Sequence, residues 1–273
     1  MEKPVIPVMI CGLSRSFPFG WGKRSKEIHE GYIRFYGKLS NKYLLHFYIS
    51  TDNIHLKDTQ TFFNQYGVVR NIYLSNTGFK LNSAENTTHI QKYLDIYNES
   101  KIVAFNPSWR NQGQNAIFQF HRNLDVCNLL VSDDEVCQKA NVLIRTRLDT
   151  IFSDELTDSL IRYIDDALKN KMESTFFSRD LIYCGTKDLL IYLMRGLEYD
   201  LGILDWEKPY ESKAYKVFPR VSPEIMKPGS PEYFRWILSA EGQMIALLHK
   251  YLRNTDEENY YNVYDPHSPI IVR

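Results

Sequence analysis

The sequence predicts an α/β protein with a mostly parallel central sheet that is flanked by helices. Short apolar runs rich in β-branched residues alternate with longer segments whose apolar residues recur at helical spacing. Such alternation is typical of strands joined by crossover helices. The apolar runs also end in glycine or in polar and charged residues, as expected where an open sheet places its ligands at the carboxyl ends of its strands.

The first third of the chain shows this alternation most clearly. "PVIPVMICG" ends in Gly12 and reads as a buried strand, and "YLLHFYIS" is a second strand followed by Thr51 and Asp52. Between them, residues 24–39 carry apolar side chains at helical spacing. A short helix at about 56–66 then leads to a third strand over residues 68–74.

The middle of the chain contains the next strand. Residues 86–100 are predicted to be helical, residues 101–114 form a polar loop, and residues 115–130 form an amphipathic helix. A strand follows within residues 142–152. Ser153 is the predicted cap of the helix after it, because acidic residues fill the first turn of that helix.

The last third is less regular. Residues 174–197 are typical of a strand pair or one bent strand, followed by a helix that begins near Thr186. Residues 202–229 are aromatic and contain proline without a clear period. "SPEYFRWILSAEGQMIALLHKYL" predicts a final helix with Pro231 in its first turn.

Composition excludes several classes of protein. The 273 residues contain 33 basic and 33 acidic side chains, and this balance argues against a surface built for nucleic acid. The four cysteines lack a C-x-x-C pair, which favours a reduced protein without a zinc site. Neither a signal peptide nor an apolar run of membrane-spanning length is apparent. We therefore expect a soluble, cytoplasmic protein without a membrane span.

The stretch "VLIRTRLDTIF" ends a predicted strand in a cluster of charge. At the carboxyl end of a central strand, Arg147 and Asp149 would lie above the sheet's crevice. There, Arg145 and Arg147 could bind a diphosphate by forked hydrogen bonds, and Asp149 could hold a divalent cation. The alternative is an arginine–aspartate pair at the edge of the sheet.

Six segments of the chain, in this order, carry a family resemblance. They are "VMICGLSRSF", "LHFYISTDN", "AIFQFHRNLDVCNLL", "VLIRTRLDTIF", "SRDLIYCGTKDLLIYL" and "SPEYFRWIL". Together they resemble the GT-A class of nucleotide-sugar-dependent glycosyltransferases, including bacterial surface-polysaccharide enzymes and small enzymes of large DNA viruses. "VLIRTRLDTIF" is similar to an Arg-x-Arg-x-Asp substitute for the Asp-x-Asp motif. The resemblance covers most of residues 5–250.

The resemblance implies a single GT-A-like domain over residues 1–273. Residues 1–150 would bind the nucleotide sugar, and residues 151–273 would form a loop- and helix-rich acceptor side. The enzyme would transfer a sugar from a UDP-sugar, such as UDP-xylose or UDP-glucose, to a hydroxyl of a glycan acceptor. The resemblance also implies which residues form the site. The nucleotide would be bound by Gly12, Arg15, Asp52, Arg145 and Arg147. Mn²⁺ or Mg²⁺ would be bound by Asp149.

An inverting mechanism would also need a base for the acceptor hydroxyl. Asp180 is the first choice because the resemblance places its strand on the acceptor side, where a buried carboxylate would have the raised pKa that a general base needs. Glu241 in the final helix is its rival. A retaining enzyme would need no such base. Asp180 could instead be a turn carboxylate.

Several of the candidate site residues have more than one interpretation. Arg147 occupies the place of the first carboxylate of Asp-x-Asp, so either the donor completes the metal site or the arginines replace the metal. Gly12 and Arg15 could form an ordinary strand-end turn, and Asp52 could cap the following helix. Further side chains have both a ligand-binding and a structural interpretation: Phe19, Trp21, Gly185, Thr186 and His267.

Two other functions are compatible with the same pattern. A sugar-phosphate nucleotidyltransferase shares the nucleotide-binding sheet, although "GLSRSFPFG" is a poor version of its glycine-rich basic loop. A non-catalytic glycan-binding protein with a decayed site would bind no UDP in the presence of Mn²⁺.

Overall fold

A computed structural model describes most of the sheet and the helices around it. The described residues are 2–12, 25–51, 56–74, 110–170, 175–178 and 181–196, together with residues 198, 244, 247, 248 and 251. The chain divides into two compact units. The first unit comprises Met1–Thr77, Asp125–Ile191 and Asn262–Arg273, and the second comprises Gly78–Leu124 and Tyr192–Tyr261.

Six strands and six helices are described. The strands are β1 (Val5–Gly12), β2 (Leu44–Thr51), β3 (Gly67–Leu74), β4 (Val142–Arg147), β5 (Thr175–Ser178) and β6 (Ile182–Thr186). The helices are α1 (Ser25–Lys42), α2 (Leu56–Phe63), α3 (Arg110–Val131), α4 (Asp134–Lys139), α5 (Asp154–Asn170) and α6 (Lys187–Met194).

The strands form one sheet in the order β3-β2-β1-β4-β6-β5. Strands β1 to β4 are parallel to their neighbours within that group, whereas β6 is antiparallel to both β4 and β5. The predicted α/β class with a mostly parallel, helix-flanked sheet is therefore confirmed. The antiparallel strand arises because β5 and β6 are joined by a short hairpin, and only a long crossover can make neighbouring strands parallel.

The main hydrophobic core lies between one face of the sheet and helices α1, α2 and α5. Alternate residues of the strands, such as Ile10 on β1 and Ile144 on β4, point into it. The ring of Phe35 on α1 stacks on Phe152, which precedes α5, at a centroid distance of 3.9 Å. Burial of this large aromatic and aliphatic set is the main driving force for forming the first unit.

Three details of the helices compare directly with the sequence predictions. Ser153 caps α5 as predicted, since its Oγ accepts a hydrogen bond from the amide of Leu156 at 3.2 Å. Helix α3 begins at Arg110, inside the predicted polar loop. Helix α4 was not predicted, because six residues are too few to show a helical period; the side chain of Asp133 caps it.

No helix among these described segments is long and apolar enough to cross a bilayer. The division of a single domain at residue 150 stays a prediction.

Candidate functional site

Strands β1 and β4 lie side by side where the connections of the sheet change direction. The chain proceeds from β1 outward to β2 and β3, and then returns to the other side of β1 as β4. Open α/β sheets bind ligands at such a switch point, outside the carboxyl ends of the strands. Here Cys11 of β1 pairs with Arg147 of β4, so these two strands end level with each other.

Gly12 is the residue of β1 at this edge, and its backbone requires glycine. Its φ is +135°, which is rare for residues with a side chain. A Cβ atom placed there would lie 3.7 Å from the amide nitrogen of Leu148 and 3.9 Å from Cβ of Arg147. Both distances are ordinary van der Waals contacts, so the backbone angle rather than crowding is the reason for glycine here.

Arg147 and Asp149 form a forked ion pair at the end of β4. The Nε of Arg147 donates to Oδ1 of Asp149 at 2.8 Å, and Nη2 donates to Oδ2 at 2.7 Å. The Arg147 side chain is 20% exposed and that of Asp149 is 8% exposed. A bidentate pair of this kind fixes the planes of both groups, and its partial burial makes it stronger than a surface ion pair.

Arg145 lies on the same face of β4 as Arg147 but two residues further from the edge. It is fully buried, its Nε donates to Sγ of Cys11 at 3.2 Å, and its guanidinium carbon lies 4.9 Å from the centre of the Tyr183 ring. The structure therefore separates the two arginines that the sequence grouped together. Arg147 lies at the carboxyl end of β4. Arg145 places a permanent positive charge two residues earlier in the same strand, inside the protein.

Helix α1 supports the opposite side of this turn. The Tyr32 hydroxyl donates a hydrogen bond to the carbonyl oxygen of Arg147, and the Tyr36 hydroxyl lies 3.2 Å from Oγ1 of Thr146. Burial raises the pKa of the Tyr32 phenol well above its ordinary value, and the nearby carboxylate of Asp149 raises it further. Tyr32 is therefore a neutral hydrogen-bond donor throughout the physiological pH range.

The fit of a divalent cation depends on Asp149. Among the described residues, no group of three or more carboxylate, imidazole or thiol side chains is placed to hold a metal ion. Asp149 offers the oxygen ligand that Mn²⁺ and Mg²⁺ prefer, but both of its oxygens accept from Arg147. A cation held by Asp149 would therefore need most of its other ligands from a bound group such as a diphosphate.

Four of the predicted site residues lie outside the described part of the chain: Arg15, Asp52, Asp180 and Glu241. The strand ends next to three of them are nevertheless described. Gly12 pairs with Thr51, so β1 and β2 end together, one residue before Asp52 in the sequence. The chain enters β6 at Ile182, which pairs with Thr146 at the end of β4. The β5–β6 hairpin therefore lies at the same edge of the sheet as Arg147.

The five further side chains with both a ligand-binding and a structural interpretation also divide into residues outside and inside the described part of the chain. Phe19, Trp21 and His267 lie outside the described residues. Thr186 pairs with Val142 at the start of β4, so Gly185 and Thr186 lie at the opposite end of that strand from Arg147. These two residues do not belong to the candidate site.

The sequence does not predict the polar contacts that α1 and β1 make with β4. Tyr32 and Tyr36 lie within residues 24–39, which are predicted to be helical from their spacing, and Cys11 lies in the first predicted strand. The hydroxyl and thiol groups of these three residues contact residues that are more than 100 positions away along the chain. Helical spacing identifies a buried face but not the polar atom that it meets, so no pattern in the sequence signals these contacts.

Comparisons of the chain with protein-family models, with curated proteins and with solved structures yield no match.

Proposed function

We propose that this chain is a glycosyltransferase of GT-A type that transfers a sugar from a UDP-sugar to a hydroxyl of a glycan acceptor. The observation that carries the proposal is the meeting of Gly12 with the Arg147–Asp149 pair at the β1–β4 switch point. A diphosphate needs a cationic group at such a site, and Arg147 supplies one there.

The charge of this edge suits a leaving diphosphate. Negative charge gathers on the UDP as the bond from the sugar to the diphosphate breaks, and a fixed guanidinium stabilises that charge. Once drawn away from Asp149, Arg147 would present two donors in one plane, which match two phosphate oxygens. Arg145 adds positive charge from below without contact with solvent. Mn²⁺ or Mg²⁺, held by Asp149 and the diphosphate, would neutralise the same oxygens.

The acceptor would enter beside the β5–β6 hairpin. This hairpin lies at the edge that carries Arg147, because Ile182 pairs with Thr146. Asp180 stands two residues before Ile182 in the sequence, which supports Asp180 over Glu241 as the base. In an inverting reaction, that carboxylate would remove the proton of the acceptor hydroxyl as the hydroxyl oxygen attacks the anomeric carbon.

Calorimetry with UDP and uridine, followed by a panel of UDP-sugars, tests this function. UDP should bind with or without Mn²⁺ and more tightly with it, uridine should bind weakly, and one UDP-sugar should be hydrolysed slowly in the absence of acceptor. Absence of UDP binding under all conditions would refute the proposal. Release of pyrophosphate from UTP and a sugar phosphate would instead identify a nucleotidyltransferase.

A further inference from the structure

Helix α1 packs unusually closely against the chain that follows β4. A Cβ atom on Gly31 would lie 3.2 Å from the amide nitrogen and 3.4 Å from the carbonyl oxygen of Phe152. The shorter separation is tighter than most real Cβ contacts, so a side chain at this position would have to push the Phe152 backbone away by a few tenths of an ångström. Phe35, one turn later, stacks on the Phe152 ring with an interplanar angle of 12°.

Two hydroxyl groups on the same helix contact the end of β4 just before Asp149 in the sequence. The Tyr36 hydroxyl contacts Oγ1 of Thr146 at 3.2 Å, and the Tyr32 hydroxyl donates to the carbonyl oxygen of Arg147. Arg147 is the last residue of β4, so Leu148 and Asp149 lie beyond the strand. Tyr32 therefore holds the backbone at the point where the sheet ceases to do so.

We propose that Tyr32 is a positioning residue for the Arg147–Asp149 pair. Its hydrogen bond fixes the peptide group that follows Arg147, and this group sets the direction of both charged side chains relative to the switch point. The functional consequence of this hydrogen bond is correct placement of the guanidinium on a diphosphate, and this consequence rests on the proposed function. Small errors in such placement reduce binding and catalysis strongly.

The variant Tyr32→Phe removes only the hydroxyl, because the ring contacts with Phe62, Phe63 and Phe152 remain possible. Tyr36→Phe is the matched control: it removes the other hydroxyl contact between α1 and the β4 segment and also keeps its ring. Both changes should lower thermal stability to a similar extent, so stability alone does not distinguish positioning from packing.

The deciding measurement is hydrogen exchange of the arginine Nε–H groups by NMR, without any ligand. The Arg147 signal is identified by its loss in Arg147→Lys, and in the wild type it should be protected because Nε donates to Asp149 at 2.8 Å. Exchange should accelerate about tenfold in Tyr32→Phe and stay unchanged in Tyr36→Phe. The Arg145 signal should not change in either variant, since that Nε donates to Cys11.

The UDP affinity of the same proteins separates this inference from the proposed function. Tyr32→Phe should bind UDP about tenfold more weakly than the wild type, with uridine binding unchanged, whereas Tyr36→Phe should match the wild type. If the wild type binds no UDP, the proposed function fails, and the exchange measurement still decides the role of Tyr32.

Three results would overturn the inference. One is unchanged exchange of the Arg147 Nε–H in Tyr32→Phe, and another is equal acceleration in both variants, which would indicate general loosening of α1. The third is a result for the wild type alone, which still decides the matter if Tyr32→Phe does not fold. The Tyr32 hydroxyl proton should exchange slowly and show a nuclear Overhauser effect to Hα of Leu148, so absence of that signal would also contradict the hydrogen bond.

Discussion

Arg147 donates hydrogen bonds to both carboxylate oxygens of Asp149, at 2.8 and 2.7 Å. The pair therefore occupies one acceptor site on each oxygen of Asp149 and two of the five N–H donors of Arg147. A diphosphate that draws the guanidinium away from Asp149 would leave the carboxylate available to a cation. This relationship predicts that nucleotide and metal strengthen each other's binding, and it allows Arg147 and Asp149 to be tested separately.

The first prediction concerns Asp149. The substitution Asp149→Asn removes the negative charge but keeps the shape, so transfer should fall by about 100-fold or more. The enhancement of UDP binding by Mn²⁺ should also disappear. Calorimetry with and without Mn²⁺ measures the second effect, and circular dichroism verifies the fold. Turnover at the wild-type rate would exclude Asp149 from the reaction.

The second prediction concerns Arg147. In Arg147→Ala, affinity for UDP should fall by about 10- to 100-fold, the loss expected for charged hydrogen bonds, whereas uridine binding should change little. Arg147→Lys is the matched control, since it keeps the charge but loses the forked hydrogen bonds. Its UDP affinity should lie between those of the wild type and Arg147→Ala. Equal weakening of UDP and uridine would mean that Arg147 does not meet the phosphates.

The third prediction concerns the acceptor base. Asp180→Asn should bind UDP like the wild type but lose about 100-fold or more in sugar transfer, the usual contribution of a positioned base. Glu241→Gln is the comparison, and it should retain transfer. The reverse pattern would assign the base to Glu241. A product with the anomeric configuration of the donor would show that no such base is needed.

The fourth prediction concerns the cluster around Asp133. Its carboxylate accepts from Nε and Nη2 of Arg70 and from the Tyr48 hydroxyl, and the hydrogen bond from Arg70 is the main cause that lowers its pKa to about 2. Asp133→Asn should therefore reduce the free energy of unfolding at pH 7 by about 1–3 kcal/mol.

The pH dependence of that effect has a defined sign. Because the pKa is lower in the folded state than the ordinary 3.8, the stabilisation is complete above pH 3.8 and is lost as the pH falls towards 2. Urea unfolding at several pH values should show the two proteins converging over this range. Glu135→Gln, on the exposed side of Arg70, is the control and should change stability little. A pH-independent difference would mean that packing, not charge, stabilises this cluster.

The fifth prediction concerns His121 on α3. Burial disfavours the charged imidazolium and lowers the pKa of His121 to about 4. NMR titration should find this ring neutral at pH 5.5, whereas in urea it should titrate near 6.5. Since the folded-state pKa is the lower one, its contribution to stability is full above pH 6.5 and is lost as the pH falls from 6.5 to about 4. A folded-state pKa near 6.5 would contradict this burial.

The sequence by itself determined the class of fold and the place where charge is concentrated. Apolar runs at strand and helix spacing are local signals, so β1 to β4, α1 and α5 were predicted close to their observed bounds. Gly12 and Asp149 were singled out because residues at strand ends face the crevice in any parallel sheet. Short elements such as α4 and the antiparallel direction of β6 were not determined, since neither leaves a periodic signal.

Only the tertiary structure decided which partner each polar side chain meets. Arg145 and Arg147 are two residues apart and share a face, yet the packing of Cys11 and Tyr183 buries one while the other pairs with Asp149 at the edge. Tyr32 and Tyr36 reach β4 through contacts that span more than 100 residues. The physical reason is that hydrophobic periodicity specifies a face of an element, whereas a hydrogen bond depends on the register and closeness of two elements that the whole core brings together.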